Sequence, residues 1–277
     1  MTDTRIPLAG VIGSPVSHSR SPQLHRHWLD TCGIQGHYIP MDIAQADLAG
    51  AIQMLPKLGF LGVNVTVPHK EAVMSLANQI TDRATLIGAA NTLIFLPDGN
   101  VLADNTDGYG LLVNLQQGAP CWDAAAGPAV VFGAGGAARA VVSTLIDAGV
   151  PEIRLTNRTR SRSENLQRDF GQRVTVTDWV QAGNILDGAA LVVNATSLGM
   201  VGKPELRVPL DGLSSDTVVT DLVYAPLKTR LLQVGEETGC TVVDGLGMLL
   251  HQAVPGFERW FGHKPDVDAA TRAAVLR

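Results

Sequence analysis

Residues 129–162, AVVFGAGGAARAVVSTLIDAGVPEIRLTNRTRSR, constrain the fold more than any other part of the chain. Ala129–Phe132 is a short, wholly apolar run of the kind needed by a strand buried on both faces. Gly133-Ala134-Gly135-Gly136-Ala137-Ala138 follows at once, and a helix-length segment, 137–148, then ends at Gly149. In such a strand-turn-helix Gly133 permits the tight turn and Gly135 lets backbone approach a pyrophosphate. Ala138 takes the small-residue position where helix and strand pack closely. The anion would sit on free backbone N–H groups at the helix N-terminus. Glycine-rich turns also occur as plain structure, so the next strand decides. That apolar strand, 153–156, ends in Asn157-Arg158-Thr159, with Arg160 and Arg162 just beyond. An NAD site expects an acidic residue there for the ribose 2′-OH. Arginine instead matches a phosphate bidentately. The pattern predicts NADP rather than NAD, with a solvated basic loop as the bland alternative.

At 277 residues the chain has room for two domains. A hydrophobic content of 45% and a formal charge of −5 imply neither a nucleic-acid nor a membrane surface. The apolar runs are too short to span a bilayer, and the N-terminal stretch lacks the basic and long apolar regions of a secretory signal. Cys32, Cys121 and Cys240 form no CxxC or metal-ligand spacing, so reduced thiols in a cytoplasmic protein are expected. His18, His25 and His27 lack partner spacing for a metal site.

A first strand, 8–12, leads into GSPVSHSRSP, after which Ser21 is expected to cap a helix with Pro22 in its first position and Gly33 at its close. Ser17 and Ser19, two apart at a strand's carboxyl end, fit a small anion such as a carboxylate. A solvated turn fits them equally well. A strand over 38–43, a helix over 45–58 and a strand over 62–67 follow. In the last of these Asn64 and Thr66 share one face, with Lys70 just past the end. Lys70 suits chemistry if burial lowers its pKa, and is a surface charge if it is exposed. Helical segments are expected near 70–77 and 81–88, then a hairpin around PDGN at 97–100. DNTDG opens a helix with Asp107 near its cap, a role that needs no further chemistry. The glycine- and alanine-rich stretch 118–128 reads as the boundary into the nucleotide domain. Further strands fall near 174–176, 191–195, 218–222 and 241–243, and two of them end in NATSLGM and DLVYAP. Strand ends of this sort line the crevice of a doubly wound sheet. Trp260 and Phe261, at the far end of a last amphipathic helix, are expected to pack.

With SHSRSP, NVTVPHK, NT, DNTDG, GAGGAA, NRTRSR, NATSLGM, DLVYAP and DGLGMLLHQA in one order, the chain resembles the shikimate dehydrogenase family over nearly its whole length. The ordered set is specific where each motif alone is not. The resemblance implies an α/β protein with an α/β substrate domain, a Rossmann-type doubly wound NADP-binding domain and a cleft between them. It places a discontinuous substrate-binding and catalytic domain at 1–107 plus 247–277 and the NADP domain at 108–246. It also implies the roles of individual residues. Ser17 and Ser19 bind the substrate carboxylate, while Asn64, Thr66, Asn91, Thr106 and Gln252 hold hydroxyls and carboxylate. Lys70 and Asp107 are the catalytic pair and also touch substrate, and Tyr224 lies at the substrate edge. Gly133, Ala134, Gly135, Gly136 and Ala137 take the pyrophosphate, and Asn157, Arg158, Thr159 and Arg162 the ribose phosphate. Leu222 and Gly245 face the nicotinamide, with Asp82 near the cofactor; His69 receives no role, and Arg160 stands where the family varies.

The implied activity is reversible NADPH-dependent reduction of 3-dehydroshikimate to shikimate, on the route to chorismate and aromatic amino acids. A quinate/shikimate dehydrogenase using NAD is one alternative. Ser17 and Ser19 with Arg158 and Arg162 favour the shikimate- and NADP-linked kind. A non-catalytic NADP-binding sensor is the other alternative, disfavoured by the joint presence of Lys70 and Asp107. No nucleic-acid or membrane partner is expected, and monomer and homodimer both stay open.

Overall fold

A computed structural model describes residues 6–277. The leaderless reading of the N-terminus rests partly on residues 1–5, which lie outside that range. The chain opens with β1 (Leu8–Gly13), α1 (Ser21–Thr31), β2 (His37–Asp42), α2 (Leu48–Met54), β3 (Phe60–Val65), β4 (Gln79–Ile80), α3 (Asp82–Ile87), β5 (Thr92–Phe95) and β6 (Val101–Asp104). It continues through α4 (Asp107–Gly118), β7 (Ala129–Phe132), α5 (Gly136–Asp147), β8 (Ile153–Asn157), α6 (Arg160–Phe170), β9 (Val174–Asp178), β10 (Leu191–Asn194), β11 (Val218–Asp221), α7 (Arg230–Thr238) and β12 (Thr241–Val243). Two helices close it, α8 (Gly245–Phe261) and α9 (Ala269–Leu276). The contacts divide the chain into two units, one running through Thr106 and resuming at Leu249–Arg277, the other Asp107–Met248.

The first unit has a six-stranded sheet in the order β2-β1-β3-β5-β6-β4. β2, β1 and β3 run parallel, whereas β3-β5 and β5-β6 are antiparallel. Its core joins Ile12, Val63, Val65, Leu93 and Ala103 from the sheet to Leu48, Ile52 and Leu55. A second packing centre is aromatic. Trp28, buried on α1, meets Phe257 of α8 edge-on at 5.4 Å. Trp260 is 4% exposed and donates its indole N–H to the Leu93 carbonyl at 3.2 Å, which makes it a packing residue.

The second unit's sheet runs β12-β11-β10-β7-β8-β9, parallel throughout. In chain order this is the 3-2-1-4-5-6 arrangement of a doubly wound dinucleotide fold, with its switch point between β7 and β10. Both faces are covered. Val131 and Val193 pack with Val141 of α5 on one side, and Val130, Phe132, Val192 and Val219 with Leu186 and Leu231 on the other. Each fully buried valine contributes roughly 1.5–3 kcal/mol, which is why β7 carries no polar residue.

The local structure departs from the sequence expectations in several places. Ser21 is the first residue of α1, not its cap; Arg20 takes that place, and the Ser21 N–H instead meets the Ser19 hydroxyl at 3.3 Å. The helix expected over 45–58 is α2 flanked by 3₁₀ turns, because Pro56 has no N–H to extend the α pattern. Only a 3₁₀ turn at Ala72–Leu76 forms near 70–77. β3 stops at Val65, so Thr66 lies one residue past it. The stretch 118–128 is not where the units part, since α4, which precedes it, packs with α5 in the second unit.

Candidate functional site

In the first unit, four of the expected substrate residues meet in one buried polar network. Asn91 precedes β5, Thr106 follows β6, Asn64 is on β3 and Gln252 is on α8. The Asn91 side-chain amide donates to the Thr106 hydroxyl at 2.9 Å and to Gln252 Oε1 at 3.0 Å. Its carbonyl oxygen accepts the Thr106 backbone N–H at 2.9 Å and the Thr92 hydroxyl at 3.0 Å. Thr106 in turn donates to the Gln252 carbonyl at 2.8 Å. Asn64 reaches Thr92 Oγ1 and the Asn91 carbonyl, both at 3.2 Å. Each such bond contributes about 0.5–1.5 kcal/mol, but a buried member left unpaired costs about 1–3 kcal/mol. Thr106 is fully enclosed, so its place is inside the network, holding Asn91 and Gln252.

The loop after β3 is tied to the same place. The Ala90 N–H donates to the Lys70 carbonyl at 2.8 Å, setting the Lys70 backbone one residue from Asn91. His69 is fully buried, with Nε2 2.7 Å from the Ile43 carbonyl, so Nε2 carries the proton and anchors the loop bearing Lys70. Lys70 is half-buried, and Asp107, 5% exposed, is the first residue of α4 in the second unit. Ser17 is exposed and Ser19 half-buried in the loop between β1 and α1. Asp82 is exposed in the first turn of α3, where a carboxylate complements the helix dipole.

Asp104, which the sequence did not single out, closes the end of β6. Its carboxylate accepts the Thr81 hydroxyl and the Asn105 N–H, each at 2.8 Å, and a two-pronged Arg83 guanidinium. Burial pushes this carboxyl up, but Arg83, Thr81 and Asn105 outweigh it and hold it below the usual range.

In the second unit the glycine turn sits at the switch point. Gly133 has φ +113°, and a Cβ there would lie 2.9 Å from the Ala195 carbonyl oxygen, so only glycine fits. A Cβ at Gly135 meets nothing within 4 Å, and Ala138 is fully buried where α5 meets the sheet. Ala134 is buried, and Gly135, Gly136 and Ala137 are partly exposed at the N-terminus of α5. These features fit a pyrophosphate cradle. At the end of β8, Asn157 turns its amide onto the Thr159 carbonyl at 2.9 Å. Arg158 and Arg162 are exposed, and neither forms an ion pair among the described residues. Arg160 differs, being held by Glu164 at 2.8 Å and Asp178 at 2.6 Å. Its Nε and Nη1 are thus turned to carboxylates, unlike the guanidinium groups of Arg158 and Arg162.

The ends of β10 and β11 are clamped together. Asn194 donates to Asp221 Oδ1 at 2.9 Å and to the Leu198 carbonyl at 3.1 Å. Asp221 also accepts the Val223 N–H at 2.9 Å and the Thr229 hydroxyl at 2.7 Å. Burial raises its carboxyl to about 6, the three hydrogen bonds opposing the rise. The clamp fixes the loop that carries Leu222 and Tyr224, both half-buried. Gly245 lies against this loop, and a Cβ there would stand 2.6 Å from the Asp221 and Leu222 carbonyl oxygens. Asp104, His69, Asn194 and Asp221 carry no sequence signal of their own, since each acts through a partner remote in the chain.

A family model described as the shikimate dehydrogenase substrate binding domain matches residues 11–93. One described as shikimate / quinate 5-dehydrogenase matches 121–201, and one described as the shikimate 5'-dehydrogenase C-terminal domain matches 245–275. The NADP(+)-dependent shikimate dehydrogenase of Ruegeria sp. (strain TM1040) is 66% identical over 276 residues, 100% of either chain. Among solved structures, quinate dehydrogenase from Corynebacterium glutamicum in complex with NAD is 32% identical at a TM-score of 0.89, covering 98% of this chain and 99% of its own. A shikimate 5-dehydrogenase from Thermus thermophilus in complex with NADP(H) and shikimate is 34% identical at a TM-score of 0.87, with the same coverage, 98% and 99%.

Proposed function

The chain belongs to the shikimate dehydrogenase family, NADP-linked oxidoreductases of shikimate, and from that premise we propose how its residues share the reversible reduction of 3-dehydroshikimate. The observation that carries the reading is the buried Asn64–Asn91–Gln252 network with the Lys70 backbone tied beside it. The substrate is a carboxylate bearing ring hydroxyls and one carbonyl. Ser17 and Ser19 donate to the carboxylate, while Asn64, Thr66 and Gln252 meet the hydroxyls, the Gln252 amide being presented to them by Asn91. Thr106 holds Asn91 and Gln252 in place, and Tyr224 closes the substrate edge. Gln252 spends one amide hydrogen on the Leu249 carbonyl at 3.0 Å and keeps the other for substrate. The Lys70 ammonium gives its proton to the oxygen that becomes an alkoxide and takes it back in reverse, with Asp107 as its acid-base partner.

Gly133, Ala134, Gly135, Gly136 and Ala137 would hold the pyrophosphate of NADP, Asn157, Arg158, Thr159 and Arg162 its ribose phosphate, and Leu222 and Gly245 the nicotinamide side. When bound, the reduced cofactor supplies the hydride. We assign 1–107 with 247–277 to substrate and catalysis and 108–246 to NADP; the two contact units support this division. Free Cys32, Cys121 and Cys240 suit a reducing cytoplasm, and monomer or homodimer both serve the chemistry.

The test is initial-rate oxidation of shikimate and of quinate, each with NADP and with NAD, repeated on Lys70→Ala. Turnover is expected only for shikimate with NADP. Lys70→Ala is expected to lower kcat by about 10²–10⁴-fold with little change in KM. A pure KM effect would assign Lys70 to binding. Comparable quinate or NAD turnover would favour the quinate-type reading that the Corynebacterium likeness raises. No turnover with any pair would favour a sensor.

A further inference from the structure

We propose that Tyr38 is a positioning residue for this reaction, its hydroxyl fixing Asn64 as a hydrogen-bond acceptor for one substrate hydroxyl. The proposal rests on the reading of Asn64 as a substrate contact. Tyr38 lies on β2, 7% exposed, and its hydroxyl is 2.6 Å from Asn64 Oδ1. The orientation of that amide follows from its surroundings. The Asn91 backbone carbonyl can only accept, so the Asn64 group 3.2 Å from it is the NH₂. The opposite end, facing Tyr38, is therefore the oxygen, and the phenol must donate. Both amide hydrogens of Asn64 are then committed, one to Asn91 and one to Thr92 Oγ1. One lone pair on Oδ1 goes to Tyr38. What Asn64 can still offer a polyhydroxylated ligand is a single acceptor position, and Tyr38 decides which one.

The surroundings hold the phenol to this task. Its ring stacks on His25 at 3.8 Å and 6°, and that histidine sits among Trp28, Phe257 and Trp260. Burial keeps His25 neutral, its pKa lowered to about 3, so the stack adds no charge beside the phenol. Burial also pushes the Tyr38 phenol well above its usual value, so it remains a donor, and the Ser21 side chain bonds to its oxygen from the first turn of α1. Tyr38 thus stands between the Ser21 side chain and Asn64, donating to the latter.

The experiment is a double-mutant cycle on steady-state kinetics, using Tyr38→Phe, Asn64→Ala and the pair. Tyr38→Phe keeps the ring and its stack on His25. It is expected to raise KM for shikimate about fivefold, the worth of one neutral hydrogen bond, with kcat and KM for NADP unchanged. In the Asn64→Ala background, where KM is already raised, it is expected to add nothing. An equal increase in both backgrounds would overturn the proposal, as would an unchanged KM in Tyr38→Phe beside a raised one in Asn64→Ala. An unchanged KM in Asn64→Ala would instead remove the substrate role of Asn64 itself. Ser21→Ala provides a second route should Tyr38→Phe fold poorly. A rise of about twofold that vanishes with Asn64→Ala supports the positioning role of Tyr38, and one that persists there overturns it.

Discussion

Two buried polar clusters, one in each unit, are built in opposite ways. The first builds its network from neutral amides and hydroxyls, and Asn64 and Gln252 each keep one hydrogen-bonding position in reserve. The second builds its clamp on a carboxylate, and Asp221 spends itself on Asn194, Val223 and Thr229. A neutral network suits the recognition of a polyol, because it can offer donors and acceptors without the desolvation cost of a buried charge. A carboxylate saturated by local donors suits the holding of a loop. On the reading proposed above, buried polarity around Asn91 is a binding device and around Asp221 a structural one, a use that the first unit repeats at Asp104.

This contrast can be broken most forcefully at Asn91. Asn91→Ala strips partners from Thr106, Thr92 and Gln252 together, and we expect a stability loss of about 4 kcal/mol by denaturant titration. KM for shikimate should rise alongside. A second-unit counterpart is Arg158→Ala with Arg162→Ala, expected to raise KM for NADP about 100-fold, near 3 kcal/mol, while leaving NAD unaffected. Equal loss for the two cofactors would take the phosphate role from these arginines.

The pH responses of the units carry opposite signs. His25 in the first unit has its pKa lowered to about 3, so its contribution is complete above the ordinary value of 6.5 and is lost as pH falls from there toward 3. Between pH 7 and pH 5 this amounts to about 2 kcal/mol, which His25→Phe should abolish in unfolding curves at the two pH values. Asp221, raised to about 6, contributes fully below 3.8 and loses that contribution as pH rises through 6. Over the same interval the effect is about 1 kcal/mol, in the opposite sense. Asp221→Asn should remove it, since an amide can still accept from Asn194 and Val223 while donating to Thr229. The smallest effect belongs to Arg160→Ala. With its guanidinium shared by Glu164 and Asp178 at the exposed surface, its loss should leave the denaturant midpoint and KM for NADP unchanged.

The second unit was the more legible in sequence. Its parallel strands are continuous apolar runs, and Gly133 sits in a local pattern whose geometry demands glycine, so strand, turn and helix follow from neighbours along the chain. The first unit was less so. Asn91 and Gln252 meet across 161 positions, and no periodicity announces such a pair. Gln252 entered through the family resemblance alone. Tyr38 read as one more strand residue, because its bond to Asn64 joins β2 to β3, which flank β1 on opposite sides. Local rules also failed where two of them competed. Apolar spacing argued for one helix over 45–58, and the missing N–H of Pro56 prevailed at its end.

The clamp between β10 and β11 has a consequence for how this sequence can drift. Asn194 and Asp221 lie opposite each other in register, and each satisfies the other inside a space that admits no water-exposed atom of either. A change that takes away the Asn194 amide or the Asp221 Oδ1 acceptor strands the other, and only an isostere such as asparagine at 221 escapes that cost. Over generations the two positions should therefore drift under a shared constraint, tolerating only exchanges that leave one acceptor facing one donor between the strands.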